Sequence, residues 1–321
     1  MKTMCSTLIN SIAATCVALM LTACGSDGGG GGGGGGSTGT TSLSLTDAPI
    51  DEALDVTVRF DGVEFQPADG DRFMLYLADT TGTCEVVDVQ DSANPCEVNL
   101  LDYQGIDRIT IVDRATMPAG KYSWLRLILN DEPGSIILID GSQFDLRVPG
   151  GGETGLKLHS GFIVAVGNHT DYTIDFDLRK SVHDPIGLPE YILRPTLRLM
   201  DNSQVGSLSG NVDTSFFEGG DCSGAIYLFD GDTLDAPDDE DGDGGGPDPI
   251  TTVLVPDDGT HAYMVGFLTE GDYIAAFTCD ALADDPTVDD VAEDFSFLSE
   301  AVVTIVAGEN TVQDFLPAPA P

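Results

Sequence analysis

The chain has 321 residues, 54 acidic and 13 basic, for a formal net charge of −41, and 41 % of it is apolar. So negative a surface repels nucleic acid and anionic phospholipid heads, which argues against both as partners. The apolar share is ordinary for a globular chain, which excludes disorder throughout.

Residues 1–23 hold one charge, Lys2, followed by an apolar stretch that includes Leu8, Ile9, Ile12, Val17, Leu19, Met20 and Leu21. A short apolar run ending in small residues is a secretory signal, because the cleavage pocket excludes bulk. The alternative, an uncleaved spanning helix, needs about 20 mostly apolar residues, and Asn10, Ser11 and Thr15 interrupt this run. Leu21-Thr22-Ala23-Cys24 resembles the lipobox of bacterial lipoproteins. That resemblance implies diacylation of the Cys24 thiol, removal of residues 1–23 and acylation of the new amino terminus. Three acyl chains exceed the roughly two signals that stable anchoring needs. An aspartate after the cysteine tends to retain such proteins at the inner membrane. Gly25 stands there instead, which implies a cell-envelope protein of the outer membrane, periplasmic or surface-facing.

The seven cysteines then partition. Cys5 and Cys16 leave with the signal, and Cys24 carries lipid. Cys84 with Cys96, and Cys222 with Cys279, remain as an even set that reads as two disulfides in an exported chain. Spacing alone does not dictate the pairing. Zinc is the competing reading, but CxxC spacing is missing and the histidines lie elsewhere. By loop-closure entropy the shorter loop contributes about 3 kcal/mol and the longer about 4. Residues 24–41 are the lipidated cysteine and a linker of Gly, Ser and Thr with one Asp, including Gly28–Gly36. GxGxxG matches there trivially, without the strand and helix that a nucleotide site requires. A linker of this kind reaches roughly 20–25 Å and holds the folded part clear of the lipid heads.

Residues 42–202 are dominated by short strands. Val56, Val58 and Phe60 alternate with Thr57, Arg59 and Asp61, the period of a half-buried strand. Ile109–Val112, Tyr122–Leu129, Ile136–Ile139, Phe162–Val166, Tyr172–Leu178 and Tyr191–Met200 behave alike, separated by Asp, Gly, Asn and Pro. Antiparallel β-sandwiches cover the apolar faces of so many short strands, so an all-β chain is expected. Thr46-Asp47-Ala48-Pro49, Asp61-Gly62 within the Val56–Val63 strand, Leu100-Leu101-Asp102, Met117-Pro118-Ala119-Gly120-Lys121-Tyr122, Asp175–Val182 and Arg194-Pro195-Thr196-Leu197-Arg198 resemble the bacterial family DUF4382, a domain of unknown function. The resemblance spans nearly the whole region and brings no catalytic residues.

Candidate sites in this region each have a structural alternative. Asp175, Asp177 and Arg179 alternate with Phe176 and Leu178, which fits either a cation site or an exposed Asp–Arg ladder, the ladder being favoured. Asp47 is read as closing an Asx-type turn before Pro49. His159, His169 and His183 fit no metal spacing. Trp124 is the sole tryptophan. Leu125, Leu127 and Leu129 form one face of its strand, which leaves Tyr122, Trp124 and Arg126 on the other. That face is either a stacking platform for a sugar ring or core, the latter being commoner for large aromatics.

Residues 205–316 open a new pattern with Gly206–Val212. Strands follow at Ala225–Phe229, Thr252–Val255, His261–Val265, Tyr273–Phe277, Val302–Val306 and Thr311–Phe315. Gly206-x-x-x-Gly210-x-Val212, Leu268–Tyr273 and the closing Ala307-Gly308 turn resemble the carboxypeptidase-regulatory-like or transthyretin-like sandwich. That resemblance implies a carbohydrate-binding-like fold and no particular ligand. Gly120-Lys121-Tyr122 and Gly271-Asp272-Tyr273 are the same device: a glycine free to take positive φ, then a tyrosine that enters the core while its hydroxyl caps a loop. Within the acidic loop 230–249, Asp239, Asp241 and Asp243 fit the first half of a calcium loop, but Ile250 replaces the bidentate Glu. A solvated acidic loop and weak calcium binding both remain open, and no other cofactor is expected.

The sequence contains no nucleophile elbow, HExxH or Walker motif. A non-enzymatic protein is expected, held to the membrane by its lipid and displaying sandwiches that bind carbohydrate or another extracellular polymer. The alternative is a structural or protein-interaction lipoprotein, weakly stabilised by calcium.

Overall fold

A computed structural model describes residues 37–48, 53–80, 82–91, 93–151, 155–185, 187–219, 222–232, 237–239, 247–284 and 295–317. The described residues form one compact unit. The chain is all-β. Its strands are, in order, β1 (Thr38–Ala48), β2 (Ala53–Pro67), β3 (Phe73–Asp79), β4 (Cys84–Val87), β5 (Cys96–Asn99), β6 (Ile109–Pro118) and β7 (Gly120–Leu129). β8 (Gly134–Leu138), β9 (Gln143–Arg147), β10 (Leu156–Leu158), β11 (Phe162–Val164) and β12 (His169–Asp177) follow. A helical turn, α1 (Leu178–Ser181), precedes β13 (Val182–His183), β14 (Glu190–Leu193) and β15 (Thr196–Asp201). The remainder is β16 (Val205–Asn211), β17 (Ala225–Asp230), β18 (Thr251–Leu254), β19 (Ala262–Thr269), β20 (Gly271–Thr278), β21 (Phe297–Ile305) and β22 (Asn310–Val312).

The first fifteen strands make a four-stranded sheet, β15-β12-β1-β6, and an eleven-stranded sheet built around β2 and β7. Leu43, Leu45, Ile111, Ile174 and Phe176 from the smaller sheet meet Val58, Phe60, Val63, Phe65, Leu125 and Leu127 from the larger in one buried core. Such a two-layer stack hides one face of each sheet. β2 serves two sets of neighbours. Its first half pairs with β8 and β5, and its second half with β3 and β7. A register shift between Phe60 and Gly62 makes the change of partner, so Phe60 and Val63 both point inward. Asp61 at this bulge is buried and accepts hydrogen bonds from Asn130 Nδ2 (2.8 Å) and Gln90 Nε2 (2.6 Å).

The last seven strands form a three-stranded sheet, β19-β16-β22, and a four-stranded sheet, β18-β17-β20-β21. Leu208, Val265, Ile226, Leu228, Ala275, Phe277 and Val303 fill the space between them. The outer face of the four-stranded sheet carries a second cluster, Ala225, Tyr227, Phe229, Ala276, Ala281 and Phe295. Most pairings are antiparallel, but β1 with β12, β9 with β14 and β16 with β22 run parallel.

Two expectations change in detail. β1 starts at Thr38, so residues 38–41, assigned to the linker, are strand; Thr40 and Thr41 are β-branched and Thr41 is already buried. Tyr191–Met200 is not one strand but β14 and β15, broken at Arg194-Pro195, because proline has no N–H to give the ladder. Arg194 N and Thr196 N turn instead to Ser181, bonding its carbonyl (2.7 Å) and its hydroxyl (2.9 Å). Cys24, Gly28–Gly36 and the signal residues 1–23 lie outside the described residues, as do Asp241 and Asp243.

Candidate functional site

The four remaining mature cysteines are bonded as Cys84–Cys96, with Cα atoms 5.1 Å apart, and Cys222–Cys279, at 4.5 Å. The first joins β4 to β5. The second fixes the segment before β17 beside the end of β20.

β7 does not hold Tyr122, Trp124 and Arg126 on one face. Its register against β2 shifts between Gln66, opposite Trp124, and Pro67, opposite Tyr122. The extra residue turns Tyr122 inward, to the side of Leu125 and Leu127. There it stacks on Phe162 with ring centroids 4.7 Å apart and meets Phe65 and Phe73 edge-on. Its hydroxyl donates to Pro118 O at 2.7 Å, and burial pushes its pKa up to about 12. Tyr122 is therefore core, and the ligand face loses it.

Trp124 and Arg126 stay half-buried on the outer face. Lys157 Nζ lies 4.1 Å from the Trp124 ring centroid, a cation–π contact. Arg126 Nη2 reaches Glu64 at 2.6 Å, and Arg72 Nε approaches the same carboxylate at 3.4 Å. The result is one aromatic ring on a rigid strand beside three cations and a carboxylate, in a chain where cations are scarce.

The Asp175–Asp177–Arg179 ladder does not form. Asp177 ends β12 by capping α1, accepting from Lys180 N at 3.2 Å, so Arg179 sits on a helical turn. All three residues are buried, in contrast to the exposed face that alternation suggested. The cause is that the polar face of the β1/β12 sheet is covered, not wet. Asp175 pairs with Arg198, whose Nε stands 3.0 Å from its carboxylate, and both border a small cavity shared with Thr46, Asp47, Thr251, Thr252 and Gly266. Burial raises the Asp175 pKa and Arg198 opposes that shift. Arg179 bonds the Tyr227 hydroxyl, Ala281 O (2.7 Å) and Asp284 O (3.1 Å), and pairs with the Asp284 carboxylate at 3.2 Å. Tyr227 donates to the same carboxylate. Nearby, Lys180 Nζ donates to Pro249 O at 2.7 Å. A Cβ on Gly266 would stand 2.1 Å from Gly105 O, so backbones touch across the same seam. Arg108, bonded to Asp171 and Thr173, lies over the Phe267 ring at 6.0 Å.

Asp47 closes β1 with its N–H on Tyr103 O at 2.9 Å and is buried. Asp239 is also buried, and its partners in the proposed calcium loop fall outside the described residues. Among the described residues no group of three or more His, Cys, Asp or Glu is placed to hold a metal. His159, in the β10–β11 loop, and His169, at the start of β12, are exposed, and the His183 pKa is lowered by burial and by the nearby Arg194.

The sequence reading missed a cleft of about 380 Å³ between the β7–β8 turn and the β9 and β14 strands. Its signals were two turns rich in Pro and Gly, Asp131-Glu132-Pro133-Gly134 and Pro149-Gly150-Gly151, each beside an arginine-bearing strand.

Comparison with known proteins addresses the first fourteen strands directly. The family model described as "Domain of unknown function (DUF4382)" matches residues 38–195. Those residues are a DUF4382 domain. It therefore contains β1 through β14, the Trp124 face and the cleft. No curated protein matches the chain. Solved structures similar to it include the Bacillus anthracis TIE protein, 12 % identical over 87 % of this chain and 33 % of that one, at a TM-score of 0.19. The minor pilin GBS52 of Streptococcus agalactiae is 10 % identical over 88 % of this chain and 98 % of its own, with a TM-score of 0.19. A variant of the major pilin subunit of Bacillus cereus is 9 % identical over 88 % of this chain and 100 % of its own, with a TM-score of 0.22. This chain spans a third of the length of the TIE protein. At these scores the alignments say nothing about site or activity.

Proposed function

We propose that this protein is a lipid-anchored, non-catalytic envelope protein, held at Cys24 in the outer membrane, that displays β-sandwich modules and binds carbohydrate or another extracellular polymer. The observation that carries the binding role is the Trp124 face. A half-exposed indole on a rigid strand, flanked by Arg126, Lys157 and Glu64, offers a flat apolar surface with hydrogen-bonding groups at its edge. Two disulfides fit an oxidising compartment, in keeping with export. The Gly28–Gly36 run then acts as the tether, and residues 38–202 and 205–316 act as the two displayed modules.

Polysaccharide pull-down and glycan arrays with the wild-type chain and Trp124→Ala test this. Binding that Trp124→Ala abolishes supports the reading; no binding, or binding indifferent to the substitution, removes the role of this face. A second reading is a structural or protein-interaction lipoprotein, weakly stabilised by calcium at Asp239, Asp241 and Asp243. Its support is that Lys157 already occupies one face of the indole. Melting with calcium and with EDTA tests its calcium part, and an unchanged midpoint rejects it.

A further inference from the structure

The cleft beside β9 has a chemistry of its own, separate from the Trp124 face. Val58, Leu129, Leu146 and Leu193, all buried, line its apolar part. Its lining carries two cations, Arg59 and Arg147, and four anions, Asp131, Glu132, Asp145 and Glu190. Arg59 is held by Glu97 at 2.6 Å and by Pro133 O at 3.1 Å, with Glu132 at 3.5 Å. Arg147 gives its Nε to Glu190 at 2.8 Å.

The mixture selects a ligand class by elimination. An anion would use the guanidinium groups but meet four carboxylates in the same cleft, in a chain of net charge −41. A cation would use the carboxylates and leave two arginines opposed to it. An apolar molecule would strip water from six charged groups without replacing it. A neutral polyhydroxylated ring uses everything at once. Its C–H face meets the narrow apolar floor that Val58, Leu129 and Leu146 leave exposed, its hydroxyl oxygens accept from arginine, and its hydroxyl protons go to the carboxylates. The volume also falls within the roughly 300–1,000 Å³ of small-molecule sites. We propose that the Arg59–Arg147 cleft is a second binding site, taking a neutral sugar residue.

The test is calorimetric titration of the intact protein in detergent with cellotriose, maltotriose, mannotriose and trigalacturonate. Wild type, Arg147→Ala, Asp145→Ala and Trp124→Ala are compared, with melting midpoints confirming that each variant folds. The proposal expects at least one neutral trisaccharide to bind, at least tenfold weaker binding at one site in Arg147→Ala and Asp145→Ala, and that same site kept in Trp124→Ala. It is overturned if no neutral sugar binds, if trigalacturonate binds more tightly than all three, or if both cleft variants bind as wild type. Neutral-sugar binding lost in Trp124→Ala but kept in Arg147→Ala would sustain the Trp124 face and reject the cleft.

Discussion

Arg179 and Arg59 show how far burial changes the weight of an ion pair. The Arg179 and Asp284 side chains are 5 % and 0 % exposed, whereas Arg59 and Glu97 are 28 % and 49 % exposed. Removing one member of a buried pair strands the other charge, so Arg179→Ala is expected to cost about 3–5 kcal/mol in denaturant unfolding. Arg59→Ala, on the same measurement, should cost about 1 kcal/mol or less. Equal losses in the two variants would contradict the seam as the stabilising contact. Alternation in Asp175-Phe176-Asp177-Leu178-Arg179 was legible in the sequence, but what lay against its polar side was not. That face is covered by residues some 50 to 100 positions later, Tyr227, Ala281 and Asp284, and local pattern carries no information about such partners. Tyr122 was misplaced for a smaller reason: a one-residue bulge reverses every side chain beyond it.

At the scale of the element, the glycine–x–tyrosine device was read correctly twice. Gly120 and Gly271 have φ of +147° and +153°, and Tyr122 and Tyr273 donate to the carbonyl four residues earlier, Pro118 at 2.7 Å and Thr269 at 2.8 Å. Nothing lies within 4 Å of a Cβ added at either glycine, so the cost of alanine is backbone strain alone. Gly120→Ala and Gly271→Ala should each lose about 1–3 kcal/mol, and Tyr122→Phe and Tyr273→Phe about 1 kcal/mol, by the same unfolding measurement. A neutral effect at either glycine would mean that the turn relaxes without it. This device was legible because its cause is local: a backbone conformation and a hydroxyl reaching four residues back. The strands β3, β4, β5 and β10 were not singled out, because each acquires its face from a partner distant in pattern: β3 and β5 from β2, β4 from β3, and β10 from β7. The cleft escaped for a related reason, since β2, β7, β9 and β14 bring its lining together from four separate stretches.

The whole molecule carries its buried hydroxyls as a constraint on pH. Burial raises the pKa of Tyr122 to about 12, and also raises those of Tyr172, Tyr227, Tyr263 and Tyr273. In the unfolded chain these groups ionise near pH 10. Between pH 10 and 12 the unfolded state thus sheds protons that the native state keeps, so stability is intact below pH 10 and falls as pH rises through that window. Melting midpoints should drop steeply there, and the tyrosinate absorbance of these five residues should appear with unfolding instead of before it. Early, complete tyrosinate absorbance in a still-folded chain would contradict the buried positions. The anchor and the display role rest on residues before Thr38. Their most direct test is mass spectrometry of the mature amino terminus from the native envelope, beside Cys24→Ser. The account predicts a chain beginning at Cys24 with a diacylglyceryl thioether and an acylated amino group, and a Cys24→Ser chain that keeps residues 1–23. A wild-type chain that retains residues 1–23 with a free Cys24 thiol would contradict it.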